Sequence, residues 1–258
     1  MLKILHIGDI VGSPGRQVFA RLVTEFRQQN RADVVIVNGE NAAGGRGITP
    51  ALAEELFNAG ADAITLGDHT WDQKDLAPFL DREPRIVRPA NFAAACPGKG
   101  WTKVETPFGP VTVISLIGRV FMQPMECPFR AVDMILSEPR VSGIILVDFH
   151  AEATSEKLAM GRYLDGRVTC VAGTHTHVQT SDETLLPKGT AYITDLGMTG
   201  PKDSVLGREV GPVLHRFTTG MPIRLGVARG DIAMEGIRLT VNPNTGRAKS
   251  IQRFREKL

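Results

Sequence analysis

Apolar residues come in short runs separated by glycine-rich, acid-bearing stretches. Leu2–Ile7 reads as a buried strand that runs into Gly8-Asp9-Ile10-Val11-Gly12-Ser13-Pro14-Gly15, a turn-rich segment. Val18, Phe19, Leu22, Val23 and Phe26 then keep to one helical face, which predicts a helix packed on a sheet. The beat repeats. Residues 34–37 form a second strand, and Asn38-Gly39-Glu40-Asn41 opens a Gly-rich loop to Gly47. Thr49 and Pro50 supply an N-cap and a first helical turn, Gly60 a stop, and residues 63–66 a third strand. Such alternation predicts an α/β layer structure with a mainly parallel central sheet. From Trp101 the texture becomes richer in strands. Residues 102–106, the turn Pro107-Phe108-Gly109 and Val111–Ile117 predict a hairpin; residues 143–149, 168–172 and 191–194 predict strands, with a helix over 155–164. Residues 232–241 and 248–254, joined by the turn Asn242-Pro243-Asn244-Thr245-Gly246, predict a closing antiparallel pair. No repeat or linker interrupts the chain, so residues 1–258 are expected to form one domain containing two sheets.

Composition narrows the function classes. The apolar fraction is 42%, and 30 Lys+Arg stand against 28 Asp+Glu for a net charge of +2. A chain of this length buries a full core unaided. No basic run appears, so no stable nucleic-acid partner is expected, while nucleotide-sized substrates stay open. The three cysteines, Cys96, Cys127 and Cys170, are odd in number and far apart, which suits neither a disulfide framework nor a CxxC metal knuckle. Lys3, His6 and Asp9 interrupt the start too early for a signal-peptide core, and no apolar run approaches a membrane span. A cytoplasmic protein without a membrane partner is expected. The apolar turn Val120-Phe121-Met122 would suit a homo-oligomer contact.

Candidate chemistry lies where α/β sheets bind ligands, beyond the carboxyl ends of the strands. Strand one ends in Asp9, strand two in Glu40 and Asn41, and strand three in Asp68 and His69; the later strands end in His150 and in His175-Thr176-His177. Singly, each has an ordinary explanation, Asp9 as a cap and Asn38 to Asn41 as a turn. Jointly they are hard-to-borderline ligands with no thiolate, the set that suits Mn, Fe or Zn. In an extended segment His175 and His177 project to one side, converging on one point or on two neighbouring ions. Asp9, Glu40, Asn41, Asp68, His150, His175 and His177 exceed the three protein ligands of a typical catalytic zinc site, which argues for two ions sharing a carboxylate, with Glu40 the candidate bridge. Asp9, Glu40 and Asp68 against two divalent ions leave about +1, which a bridging hydroxide cancels. A dinucleotide loop is excluded by Ile10, and neither a GxxxxGK(S/T) loop nor a GxSxG elbow occurs. His6 and His215 read as structural.

The segments Gly8-Asp9-Ile10-Val11-Gly12, Asn38-Gly39-Glu40-Asn41, Gly67-Asp68-His69-Thr70-Trp71-Asp72, Asp148-Phe149-His150-Ala151-Glu152 and Gly173-Thr174-His175-Thr176-His177-Val178-Gln179-Thr180 carry a resemblance. Together with Leu186-Pro187-Lys188-Gly189 through Met198, they resemble the YmdB-like branch of the calcineurin-like metallophosphoesterases over nearly the whole chain. The resemblance implies a four-layer α/β/β/α sandwich of the calcineurin-like metallophosphoesterase type, a di-iron or di-manganese centre, and hydrolysis of 2′,3′-cyclic nucleotides at the 2′ oxygen. It implies that Asp9, Asn41 and His177 bind one metal, that Asp68, His150 and His175 bind the second, and that Glu40 bridges them. His69 would be the proton donor. One position departs: the family's usual GNH triplet reads Gly67-Asp68-His69 here. An anion in place of a neutral carbonyl should hold the second metal more tightly and weaken its pull on a phosphoryl oxygen.

The expected mechanism is in-line attack on phosphorus by the metal-bridging hydroxide, with His69 protonating a ribose alkoxide too basic to leave unaided. Two alternatives share the same residues. One is a phosphodiesterase or phosphatase of broader specificity, the other a metal-dependent regulatory module whose catalysis Asp68 attenuates.

Overall fold

The computed structural model describes residues 1–257. Its strands read as continuous apolar runs because both faces of each sheet are covered, and successive residues enter different cores. In β1 (Leu2–Ile7), Leu5 and Ile7 face one core while Leu2 and Ile4 face another. In β3 (Val34–Asn38), Val35 and Val37 part from Val34 and Ile36 in the same way.

The first sheet runs in the order β2 (Asp9–Ile10), β12 (Met198–Asp203), β13 (Gly230–Asn242), β1, β3, β4 (Ala63–Thr65), β5 (Ile86–Val87), and β14 (Arg247–Lys257) pairs with β13. Strands β1, β3, β4 and β5 are parallel, and β13 is antiparallel to β1 with Leu2 opposite Val241. The second sheet runs β10 (Thr184–Leu185), β11 (Ala191–Ile193), β9 (Cys170–Thr174), β8 (Ile144–His150), β7 (Val111–Ile117), β6 (Trp101–Val104). Its β7, β8, β9 and β11 are parallel.

Three cores separate four layers. Val18, Phe19, Leu22, Val23 and Phe26 of α1 (Gly12–Gln28) pack on the outer face of the first sheet with Ala53 and Leu56 of α2 (Pro50–Asn58). Leu2, Ile4, Val113, Ile144 and Cys170 fill the space between the sheets. Ala131, Val132 and Ile135 of α4 (Pro128–Leu136) and Met160 of α5 (Thr154–Tyr163) cover the second sheet. The arrangement is an α/β/β/α sandwich, with the short α3 (Ala77–Leu80) after α2 and the exposed α6 (Val210–Thr219) after β12.

Local rules account for most boundaries. The Thr49 side chain accepts from the Leu52 N–H at 3.3 Å, capping α2 with Pro50 at its first position. The expected turn ahead of α1 is shorter than its composition suggests. The helix begins at Gly12, and Pro14 lies in its first turn, where a missing N–H has no partner to lose. The hairpin β6–β7 and the pair β13–β14 form as expected. Phe121 is 88% exposed with a φ of 62°. The three cysteines are free. Among the described residues no helix is long and apolar enough to cross a membrane.

Candidate metal centre

The carboxyl ends of β1, β3, β4, β8 and β9 meet at one end of the sandwich, so the candidate residues come from both sheets. There a cavity of about 290 Å³ is lined by Glu40, Asn41, His69, His175 and His177, among others.

One group gathers around Glu40. His150 Nε2 lies 2.9 Å from Glu40 Oε1 and 2.9 Å from Asp68 Oδ1. His175 Nδ1 lies 3.0 Å from His150 Nε2 and 3.3 Å from Asp68 Oδ1. One ligand atom from each of Glu40, Asp68, His150 and His175 lies within 4.8 Å of the others, a candidate metal-binding site. The side chains behind it set the ring orientations. The Thr174 hydroxyl donates to Asp148 Oδ1 at 2.6 Å, so it accepts from His150 Nδ1–H at 3.0 Å and leaves Nε2 facing the group. Glu152 Oε2, at 3.1 Å from His175 Nε2, does the same for the second ring.

A second group lies beside it. Asn41 Nδ2 is 3.3 Å from His177 Nε2 and 3.4 Å from Asp9 Oδ1, and His177 Nε2 is 3.7 Å from Asp9 Oδ1. His177 Nδ1–H donates to the Leu206 carbonyl at 3.2 Å, which again leaves Nε2 inward. Glu40 Oε1 joins the groups, accepting from Asn41 Nδ2 at 3.4 Å while it faces His150. A flip of the Asn41 amide would present its oxygen instead.

The two late histidines reach these places by a route other than the expected one. Strand β9 ends at Thr174, and His175 and His177 have φ of 98° and 63°. Left-handed residues break the period of two, so the rings diverge, His175 toward Asp68 and His177 toward Asp9.

His69 stands at the cavity wall. Its backbone N–H donates to Glu40 Oε2 at 3.1 Å, and its Nδ1 is 2.9 Å from Asp72 Oδ2, which also accepts from Arg46 Nε at 3.0 Å. Asp148, Thr174, Glu152 and Arg208 had no role from sequence. Asp148 is an acid inside an apolar strand, where Thr65 and Asn38 also donate to it and His6 Nε2 lies 3.9 Å away. Arg208 donates to the Gly44 and Gly45 carbonyls at 2.9 and 2.6 Å and ties the Glu40 loop to the chain after β12. Nothing local to its sequence signals this.

Electrostatics fit a cation. Burial opposes a charge on His150, but Glu40, Asp68 and Asp9 outweigh it and hold its pKa well above the usual imidazole value. Burial likewise opposes a charge on His177, and Asp9 and the Leu206 carbonyl raise its pKa. Burial alone would raise Asp9, yet His177, His150 and His175 bring it down to about 2. Asp68, also pushed up by burial, is driven below the usual carboxylate range by hydrogen bonds from His150 and His175. Asp9 and Asp68 are therefore ionised at neutral pH, and His150 holds a proton where an ion would sit. Ligation needs neutral imidazole, so metal uptake should release protons, and affinity should rise with pH until the raised pKa of His150 is passed. Calorimetry in buffers of different ionisation enthalpy measures this release; uptake with no net proton release would contradict it.

The YmdB-like protein family matches residues 5–254. The chain is 47% identical to the 2′,3′-cyclic-nucleotide 2′-phosphodiesterase of Bacillus subtilis over 254 residues, which cover 98% of this chain and 96% of the relative. A crystal structure of a hypothetical protein from Thermus thermophilus superposes with a TM-score of 0.94 at 41% identity, covering 99% of both chains. A novel phosphatase from Mycoplasma pneumoniae superposes with a TM-score of 0.93 at 34% identity, covering 99% of this chain and 93% of that one. From a family match across nearly its whole length and from these relatives, the chain belongs to the YmdB-like family of calcineurin-like metallophosphoesterases.

Proposed function

We propose that this chain hydrolyses 2′,3′-cyclic nucleotides by scission at the 2′ oxygen. The observation that carries the reading is the meeting of two carboxylate–imidazole groups at Glu40 beneath one cavity, with His69 on its wall. The activity of the Bacillus subtilis relative supports the choice of substrate. Asp9, Asn41 and His177 would hold one ion and Asp68, His150 and His175 a second, with Glu40 shared. Iron or manganese fits these oxygen and nitrogen donors, and zinc fits them too. Ions bound there would lower the pKa of water and draw charge from the phosphoryl oxygens. Because the ligands come from both sheets, the chain works as one metallophosphoesterase domain.

The protein's own groups manage the leaving oxygen. Asp72 holds His69 Nδ1–H, which leaves Nε2 to carry the donated proton, and it stabilises the imidazolium. The bond from the His69 backbone N–H to Glu40 Oε2 fixes the donor's distance from the ligand groups. A ribose alkoxide receives that proton as the bond to phosphorus breaks.

The test is turnover by the metal-loaded protein on 2′,3′- and 3′,5′-cyclic nucleotides, RNA and phosphomonoesters. The expected result is a preference for 2′,3′-cyclic nucleotides with 3′-phosphates as product. A 2′-phosphate product, or equal rates on phosphomonoesters, would overturn the reading.

A further inference from the structure

Asp195 belongs to neither ligand group, yet its carboxylate touches the loop that carries both late histidines. It follows β11 and is fully buried. Its Oδ2 accepts the Thr176 N–H at 3.1 Å and the Thr176 hydroxyl at 2.7 Å, and its Oδ1 accepts the Gly197 N–H at 2.8 Å. Lys157 of α5, 1% exposed, places Nζ 2.6 Å from the same Oδ2. The lysine stem passes Gly173, where a Cβ would come within 3.0 Å of Lys157 Cδ and 1.8 Å of the Thr194 carbonyl oxygen.

Thr176 is the residue between His175 and His177, whose φ angles of 98° and 63° are disfavoured for side chains with a Cβ. Such conformations persist where the surroundings over-determine them. We propose that Asp195 and Lys157 are positioning residues that hold His175-Thr176-His177 in its two left-handed turns and so aim the two imidazoles at different carboxylates. The proposal rests on His175 and His177 being metal ligands, as argued above.

An ion pair suits the task better than a neutral amide. A carboxylate has acceptor sites for Thr176, Gly197 and Lys157 together, whereas asparagine offers one oxygen and would turn its NH₂ group toward another donor. Burial raises the pKa of the Asp195 carboxyl, and the Lys157 ammonium opposes that rise. Removing either partner strands a buried charge, so the pair acts as a unit.

Thr176→Val removes one donor from the grip, and Thr176→Ser restores it. Metal affinity, read by competition with a chromophoric chelator, should fall about tenfold in Thr176→Val and recover in Thr176→Ser. Asp195→Asn should lose more, and if it does not fold, the Thr176 pair decides. His177→Ala is the control for the ligand reading. Unchanged affinity in Thr176→Val while His177→Ala loses an ion would overturn the positioning role alone. Full metal content in His177→Ala would overturn the ligand assignment and the positioning role with it.

Discussion

His69→Ala should keep its metal and lose turnover of a 2′,3′-cyclic nucleotide by about 10² to 10⁴, the usual contribution of a positioned proton donor. Metal content should hold because the His69 ring lies outside both ligand groups; its backbone N–H, which donates to Glu40 Oε2 at 3.1 Å, survives the substitution. The loss should depend on the leaving group. A ribose alkoxide needs a proton, whereas a nitrophenolate barely does, so a nitrophenyl ester should be hydrolysed at a rate much nearer that of the unaltered protein. An equal loss on both substrates would remove His69 from the donor role. Asp72→Asn should follow His69→Ala in direction with a smaller effect, since Asp72 orients Nδ1 and stabilises the imidazolium. Because Arg46 shares Asp72 Oδ2, cutting Arg46 alone should perturb the rate least of the three.

The parts legible in the sequence are those where local chemistry and tertiary packing agree. The runs in β1, β3, β7 and β8 are apolar because both faces are buried, and the helical face of α1 is regular enough to locate its buried residues one by one. The meeting of Asp9, Glu40, Asp68, His150, His175 and His177 at one end of the fold follows from parallel strands whose ends share a side. What stayed hidden depends on long-range pairing. Strand β12 reads Met-Thr-Gly-Pro-Lys-Asp, without alternation, and exists because β2 and β13 flank it. Helix α4 has no side-chain cap to announce it, although Ala131, Val132 and Ile135 share a buried face. The divergence of His175 and His177 was hidden because nothing in a His-Thr-His triplet signals two positive φ angles; the grip on Thr176 comes from residue 195. Asp148 was hidden for the opposite reason. It sits in regular strand register, with Ile144 and Leu146 on its own side facing the core between the sheets, and only its chemistry sets it apart.

Gly67→Ala should cost more than the addition of one methyl group suggests, because the clash falls on a ring that cannot move. A Cβ at residue 67 would lie 2.2 Å from His150 Cδ2 and 2.4 Å from Nε2. The ring is fully buried, pinned by Thr174 at Nδ1 and faced by Glu40 and Asp68 at Nε2. The backbone at Gly67 cannot easily retreat, since its carbonyl accepts both the Thr70 N–H at 3.3 Å and the Thr70 hydroxyl at 2.6 Å. Overpacking of this kind costs about 1–3 kcal/mol, which denaturant unfolding of the metal-free protein would register. The larger effect is on the site. Displacing His150 Nε2 moves it off the point where Glu40, Asp68 and His175 converge. The expected outcome is loss of the ion held by that group, retention of the one held by Asp9, Asn41 and His177, and a fall in turnover of at least about 10²-fold. Elemental analysis separates this from general unfolding, since a folded protein with one ion per chain is the expected state. Two ions per chain with undiminished turnover would show that His150 is not confined as the geometry at Gly67 requires.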